Sequence, residues 1–185
     1  LEALQSAQDL ATEYQNMQIE QQHLLYALIA QEDGLIGQML KKMEIDPAAL
    51  LSDVRAEVER LPRVSGPGRE QGKIYVSQEV DRALVQAEKL ADRMKDEYVS
   101  VEHVMLALLE NPNGALGQLL SRFRLTKDGF LSALVSVRGN TRVTSDTPEH
   151  TYDALKKYGT DLVEQARSQK LDPVIGRDNE IRNVI

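Results

Sequence analysis

The sequence predicts an all-α protein made of two copies of one four-helix unit. Three observations lead there. Residues 1 to 52 align with residues 81 to 132 without a gap, at a constant offset of 80. About fourteen of these positions are identical, from Ala3 and Ala83 through Leu10 and Leu90, His23 and His103, and Gly34 and Gly114 to Ser52 and Ser132. The shared residues are mostly apolar, small or turn-forming, and the apolar ones recur at spacings of three and four, as a buried helix stripe requires. A duplicated set of core and turn residues is a duplicated packing unit, so two units related by a pseudo-twofold are expected. The period is too long, and the copies too few, for a solenoid.

The elements follow in order. Leu4, Ala7, Leu10, Ala11 and Tyr14 form a first apolar stripe. Leu24, Leu25, Ala27, Leu28 and Ile29 give a second helix with little polar surface, which marks it as central. Gly34 breaks it, and Ile36, Met39, Leu40 and Met43 form a short third helix. Pro47 suits the first turn of a fourth, through Leu50, Leu51, Val54 and Val58 to Leu61, where Pro62 stops it. Residues 62 to 76 carry two prolines and three glycines and read as a surface connector. Ser77 caps the next helix, with Val80, Leu84, Ala87, Leu90 and Ala91, and Ser100 caps that of Val104 to Leu109. Leu116, Leu119 and Leu120 make the short seventh helix, and Phe130, Leu131, Leu134 and Val135 the eighth. Residues 138 to 150 are polar and aperiodic, which reads as a linker. Two short helices and a capped segment from Asp178 follow, and the apolar residues of the last lack anything downstream to bury them, as at the cut edge of a second domain. The domains expected are therefore 1–137 (repeats 1–61 and 77–137), the linker 138–150, and the start of a further domain at 151–185, with 1–137 folding on its own.

Composition narrows the function. With 42% apolar residues but only six Tyr and two Phe, the core must be aliphatic. The absence of cysteine excludes disulfides and thiol chemistry and fits a reducing compartment. A net charge of −7 argues against a nucleic-acid surface. No apolar run reaches the ~18–20 residues of a membrane span, and no secretory signal is present. The start at Leu1 is read as missing a few native residues.

At this point the chain resembles the N-terminal domain of the Clp/Hsp100 chaperones. The run Lys95-Asp96-Glu97-Tyr98-Val99-Ser100-Val101-Glu102-His103 is similar to the ClpB disaggregase branch, as is Leu61-Pro62-Arg63-Val64-Ser65-Gly66. The tail Leu171-Asp172-Pro173-Val174-Ile175-Gly176-Arg177-Asp178 resembles the opening of the first AAA+ ATPase module. The resemblance implies an ATP- and Mg-dependent hexameric machine that threads unfolded or aggregated polypeptide through a pore, in the cytoplasm, together with an Hsp70-type chaperone system. It also implies that Val174, Ile175, Gly176 and Arg177 lie against the adenine in the full-length protein. This chain carries no G-x-x-x-x-G-K-[ST]. It is therefore expected to bind no nucleotide cofactor and to be non-catalytic; without an H-E-x-x-H or Cys/His cluster no metal is expected, and the chain is expected to be monomeric.

The site residues expected for polypeptide are Leu10, Leu84, Leu90, Asp96, Tyr98 and Glu102. The two stripes holding the leucines are core stripes first. A seam of Leu and Met between repeats can also leave an adaptable apolar groove. Asp96 and Glu102 flank a helix start, where negative charge is favourable in its own right, by up to ~1 kcal/mol. The resemblance adds a role in handling substrate. His23 and His103 at equivalent helix starts read either as a metal or acid–base pair or as histidines bonded to a nearby loop carbonyl. The alternative function is an adaptor- or degron-docking domain of a ClpC/ClpA-type, protease-linked unfoldase. A third, a small hydrolase built on the two histidines, lacks a nucleophile in a recognisable setting.

Overall fold

The computed structural model describes residues 2–32, 34–64 and 74–138. The readings made for residues 139–185 lie outside the described residues. The first repeat holds α1 (Glu2–Glu13), β1 (Gln18–Ile19), α2 (Gln21–Ala30), α3 (Leu35–Lys42) and α4 (Pro47–Glu59). The second follows β2 (Tyr75–Val76) with α5 (Gln78–Met94), α6 (Val101–Glu110), α7 (Gly114–Arg122) and α8 (Lys127–Arg138).

Most helix starts have a side-chain or backbone reason. Asp46 accepts from the Ala48 N–H ahead of Pro47, and Ser77 from the Val80 N–H. Asn113 accepts from the Leu116 N–H, and Thr126 from the Gly129 N–H. Such caps are worth about 1 kcal/mol each. The turns repeat as faithfully as the helices. Gln15 and Lys95, and Glu44 and Arg124, are 80 residues apart and all lie at φ between 53° and 60°. Left-handed backbone costs a non-glycine residue roughly 1–2 kcal/mol, so the surrounding packing must hold these four turns in place.

α2 and α6 have ten residues each, too few to persist alone in water. They are held by burial on nearly every side: Leu24, Leu25 and Leu28 in one, and Met105, Leu106 and Leu108 in the other, are at most 1% exposed. Each such side chain contributes about 1.5–3 kcal/mol. α2 packs on α1 and α4, and α6 on α5 and α8. The repeats meet through α2 on α6, α3 on α8, and α4 on α7. Exchanging the repeats converts the second of these contacts into the third, which is the pseudo-twofold in physical form.

Two details differ from the sequence reading. The connector is not wholly irregular: Tyr75 and Val76 pair in parallel with Gln18 and Ile19. Two residues are too short to show a period, so no strand was legible. Val135, placed in the apolar stripe of the last helix, is 59% exposed. The buried face of α8 is Phe130, Leu134 and Arg138, the last having been read as the first linker residue.

Candidate functional site

The polar interior centres on two equivalent histidines. His23 Nδ1 accepts from the backbone N–H of Glu20 at 2.9 Å, and His103 Nδ1 from that of Ser100 at 3.0 Å. A backbone N–H can only donate, so both rings carry their proton on Nε2. His23 Nε2 then donates to Asn16 Oδ1 at 2.9 Å, and His103 Nε2 to Asp96 Oδ2 at 2.9 Å. The acceptor is thus a loop side chain seven residues upstream, not a backbone carbonyl. With both ring nitrogens engaged and both residues 0% exposed, neither histidine has a lone pair for a metal or a substrate proton. Burial lowers the His23 pKa from 6.5 to about 4.

The two centres diverge beyond the histidine. In the first repeat Asn16 Nδ2 donates to the Pro62 carbonyl at 3.0 Å, so a neutral chain of bonds ties the end of α4. In the second, Asp96 stands where Asn16 does, and its Oδ1 accepts from the Arg138 guanidinium at the end of α8. Glu102, the counterpart of Gln22, lies 4.0 Å from Arg138 Nη1. Asp96, Glu102 and Arg138 are all buried. Removing one member of a buried ion cluster costs about 3–5 kcal/mol, because the others keep their desolvation cost without their partner.

The expected site residues therefore separate. Leu10, Leu90, Asp96 and Glu102 are buried, the leucines in the core and the carboxylates in this cluster. Leu84 is half-buried at the margin of the α5 stripe, and Tyr98, in the α5–α6 loop, is 47% exposed. One cleft between the repeats, about 580 Å³, is lined mainly by polar and charged residues. Asp53 and Glu57 of α4, with Arg60 just after it, face Gln118 and Arg122 of α7 over Ala56, Ala115 and Leu119, and Arg122 pairs with Asp53 at 3.4 Å. Two large exposed side chains that the sequence reading did not single out are Met17, 63% exposed, and Tyr75, 67% exposed. Tyr75 lies beside Gln18, the counterpart of Tyr98. The ribbon thus brings to the first repeat an exposed tyrosine that the second carries within its own loop. The repeat alignment could have drawn attention to residues 17 and 18, though not to Tyr75. Among the described residues, no group of three or more His, Cys, Asp or Glu could hold a metal, and no helix is long and apolar enough to cross a membrane.

This duplicated helical unit has relatives. Residues 1–123 match the Clp repeat (R) N-terminal domain, and the chain belongs to that family. Within it, the likeness runs to the ClpB and Hsp104 type. The chain is 47% identical over 184 residues, 100% of its length, to the chaperone protein ClpB of Bacillus cereus. It is 46% identical over 185 residues to that of Nitratidesulfovibrio vulgaris. In both cases it spans 21% of the relative's length. The solved Hsp104 N-terminal domain of Candida albicans superposes with a TM-score of 0.67 at 22% identity, covering 77% of this chain and 91% of that one. At that identity the likeness is one of fold.

Proposed function

We propose that the chain is the substrate-recognition domain of an ATP-dependent protein disaggregase. In this reading it binds unfolded or aggregated polypeptide and passes it to a hexameric AAA+ ring, in the cytoplasm and alongside an Hsp70-type system. The carrying observation is the match to bacterial ClpB chaperones over the whole chain. Residues 1–138, with Arg138 closing α8, form the recognition domain, 139–150 a linker and 151–185 the start of an ATPase module that supplies ATP and Mg chemistry. The chain itself is non-catalytic.

The side chains that fit this role are the exposed Tyr75, Met17 and Val76 at the β1–β2 ribbon of the first repeat, and the exposed Tyr98 with the half-buried Leu84 in the second. Tyrosine and methionine side chains give large contact area with little sequence demand. Affinity for one short segment is weak, since a small patch leaves little surplus after ordering costs, and six domains in a ring recover it by multivalency. Leu10, Leu90, Asp96 and Glu102 act here by supporting that surface. The test is an NMR shift titration with an unfolded, apolar-rich protein, repeated with Tyr98→Ser and Tyr75→Ser. Shifts at residues 17–19, 75–76 and 84–100 that fade in the variants support the reading. Absence of shifts with unfolded protein, alongside binding of a folded adaptor, would transfer the domain to the protease-linked class.

A further inference from the structure

We propose that Asp96, Glu102 and Arg138 form a clasp that makes the loop 95–100 and the last turn of α8 one mechanical unit. The last turn of a helix frays unless its end is tied. Here the final residue of α8, Arg138, is drawn inside and held by Asp96, whose other carboxylate oxygen takes the His103 Nε2–H. Glu102, at the start of α6, brings a second carboxyl group to 4.0 Å from the guanidinium, its oxygens accepting no hydrogen bond among the described residues. Three elements that are separate in sequence therefore share one buried set of charges. Lys95, at φ 60°, and the exposed Tyr98 belong to the loop so held.

The sibling repeat shows that these charges are not needed to fold the unit. Its equivalents, Asn16, Gln22 and Val58, are neutral, and the same histidine packs there with the same bonds. The neutral repeat ties its loop to Pro62, just past the end of α4, through an amide, whereas the charged version ties its loop to the last helix residue itself and couples the two by charge. A buried ion cluster is poorly satisfied once any member leaves, so opening at one end destabilises the other. Arg138 is also the residue from which the chain continues to 139 and beyond. A load on the Tyr98 loop is thus felt at the end of α8, and a pull there is felt at the loop.

Native-state hydrogen exchange on the 185-residue chain tests this. Val135→Gly with Ser136→Gly, both exposed positions, weakens the last turn of α8 without touching the clasp. Amides of 134–138 are expected to exchange about fivefold faster, and those of 96–100 to accelerate with them, while the equivalent loop 15–20 stays unchanged. In the background Asp96→Asn, Glu102→Gln, Arg138→Val, which copies the first repeat, the same glycines should accelerate 134–138 alone. The proposal is overturned if 96–100 does not respond in the parent chain, if 15–20 responds equally, or if the neutral background transmits the change as well. The parent arm decides even if the triple variant fails to fold.

Discussion

Acidifying the protein from pH 7 to pH 5 should remove about 2 kcal/mol of stability through His23 alone. The perturbation is one proton, and its cost follows from the site. Nδ1 of His23 faces the Glu20 N–H and Nε2 donates to Asn16, so a second ring proton would point at a donor inside a fully buried pocket. Burial sets the folded pKa near 4 against 6.5 for the free side chain. Between those values the unfolded chain holds a proton that the folded chain refuses. The stability is fully present above pH 6.5 and is lost as the pH falls towards 4. Linkage gives a loss of about 2 kcal/mol at pH 5 and about 3 kcal/mol at pH 4. Other titrating groups contribute too, so the assay is a difference. Urea unfolding at pH 7 and pH 5 is compared between the parent and His23→Gln. The variant is less stable at pH 7, and its deficit should shrink by about 2 kcal/mol at pH 5. An equal deficit at both pH values, or an NMR titration in which the His23 ring protonates near 6.5, would refute the reasoning.

Two further substitutions use the duplication as an internal control. At Gly34 an added Cβ would come within 2.8 Å of Gln31 Cβ, whereas at the equivalent Gly114 nothing lies within 4 Å. Gly34→Ala should therefore cost about 1–2 kcal/mol in chemical denaturation, while Gly114→Ala should be neutral or stabilising by roughly 0.5 kcal/mol. Asn113→Ala removes the α7 cap and the bond from Asn113 Nδ2 to Gln22 Oε1 at 3.0 Å, leaving a buried amide oxygen across the repeat boundary. A loss of about 2 kcal/mol in the same assay is expected.

Much of the fold is readable from the sequence because the strongest signals are local and occur twice. The all-round apolar runs of α2 and α6, the Pro47 and Ser77 starts and the constant offset each name their element. The interior chemistry is less legible. The histidines stand out as a pair, but their partners Asn16 and Asp96 sit in polar loops that look solvated until the fold closes over them. Arg138 is invisible for a similar reason. A charged residue at the edge of a polar stretch reads as linker, and nothing local to it shows the buried carboxylates it meets in the fold. The left-handed turns at Gln15, Glu44, Lys95 and Arg124 lack the glycine that usually marks such backbone. Tyr75 reaches the first repeat through a strand pair spanning residues 18 to 75, a contact no local pattern encodes.

The exchange of contacts between repeats, α3 on α8 and α4 on α7, has a consequence for how such a protein can arise. A lone four-helix unit leaves its third and fourth helices with complementary surfaces uncovered, and a second identical unit turned about a twofold covers them. That is the geometry of an isologous homodimer. Joining the two copies in one chain replaces a concentration-dependent association by an intramolecular one. Once joined, the copies need not stay identical. A charge can enter one histidine centre while its twin remains neutral, a divergence that no symmetric dimer of a single gene product can achieve.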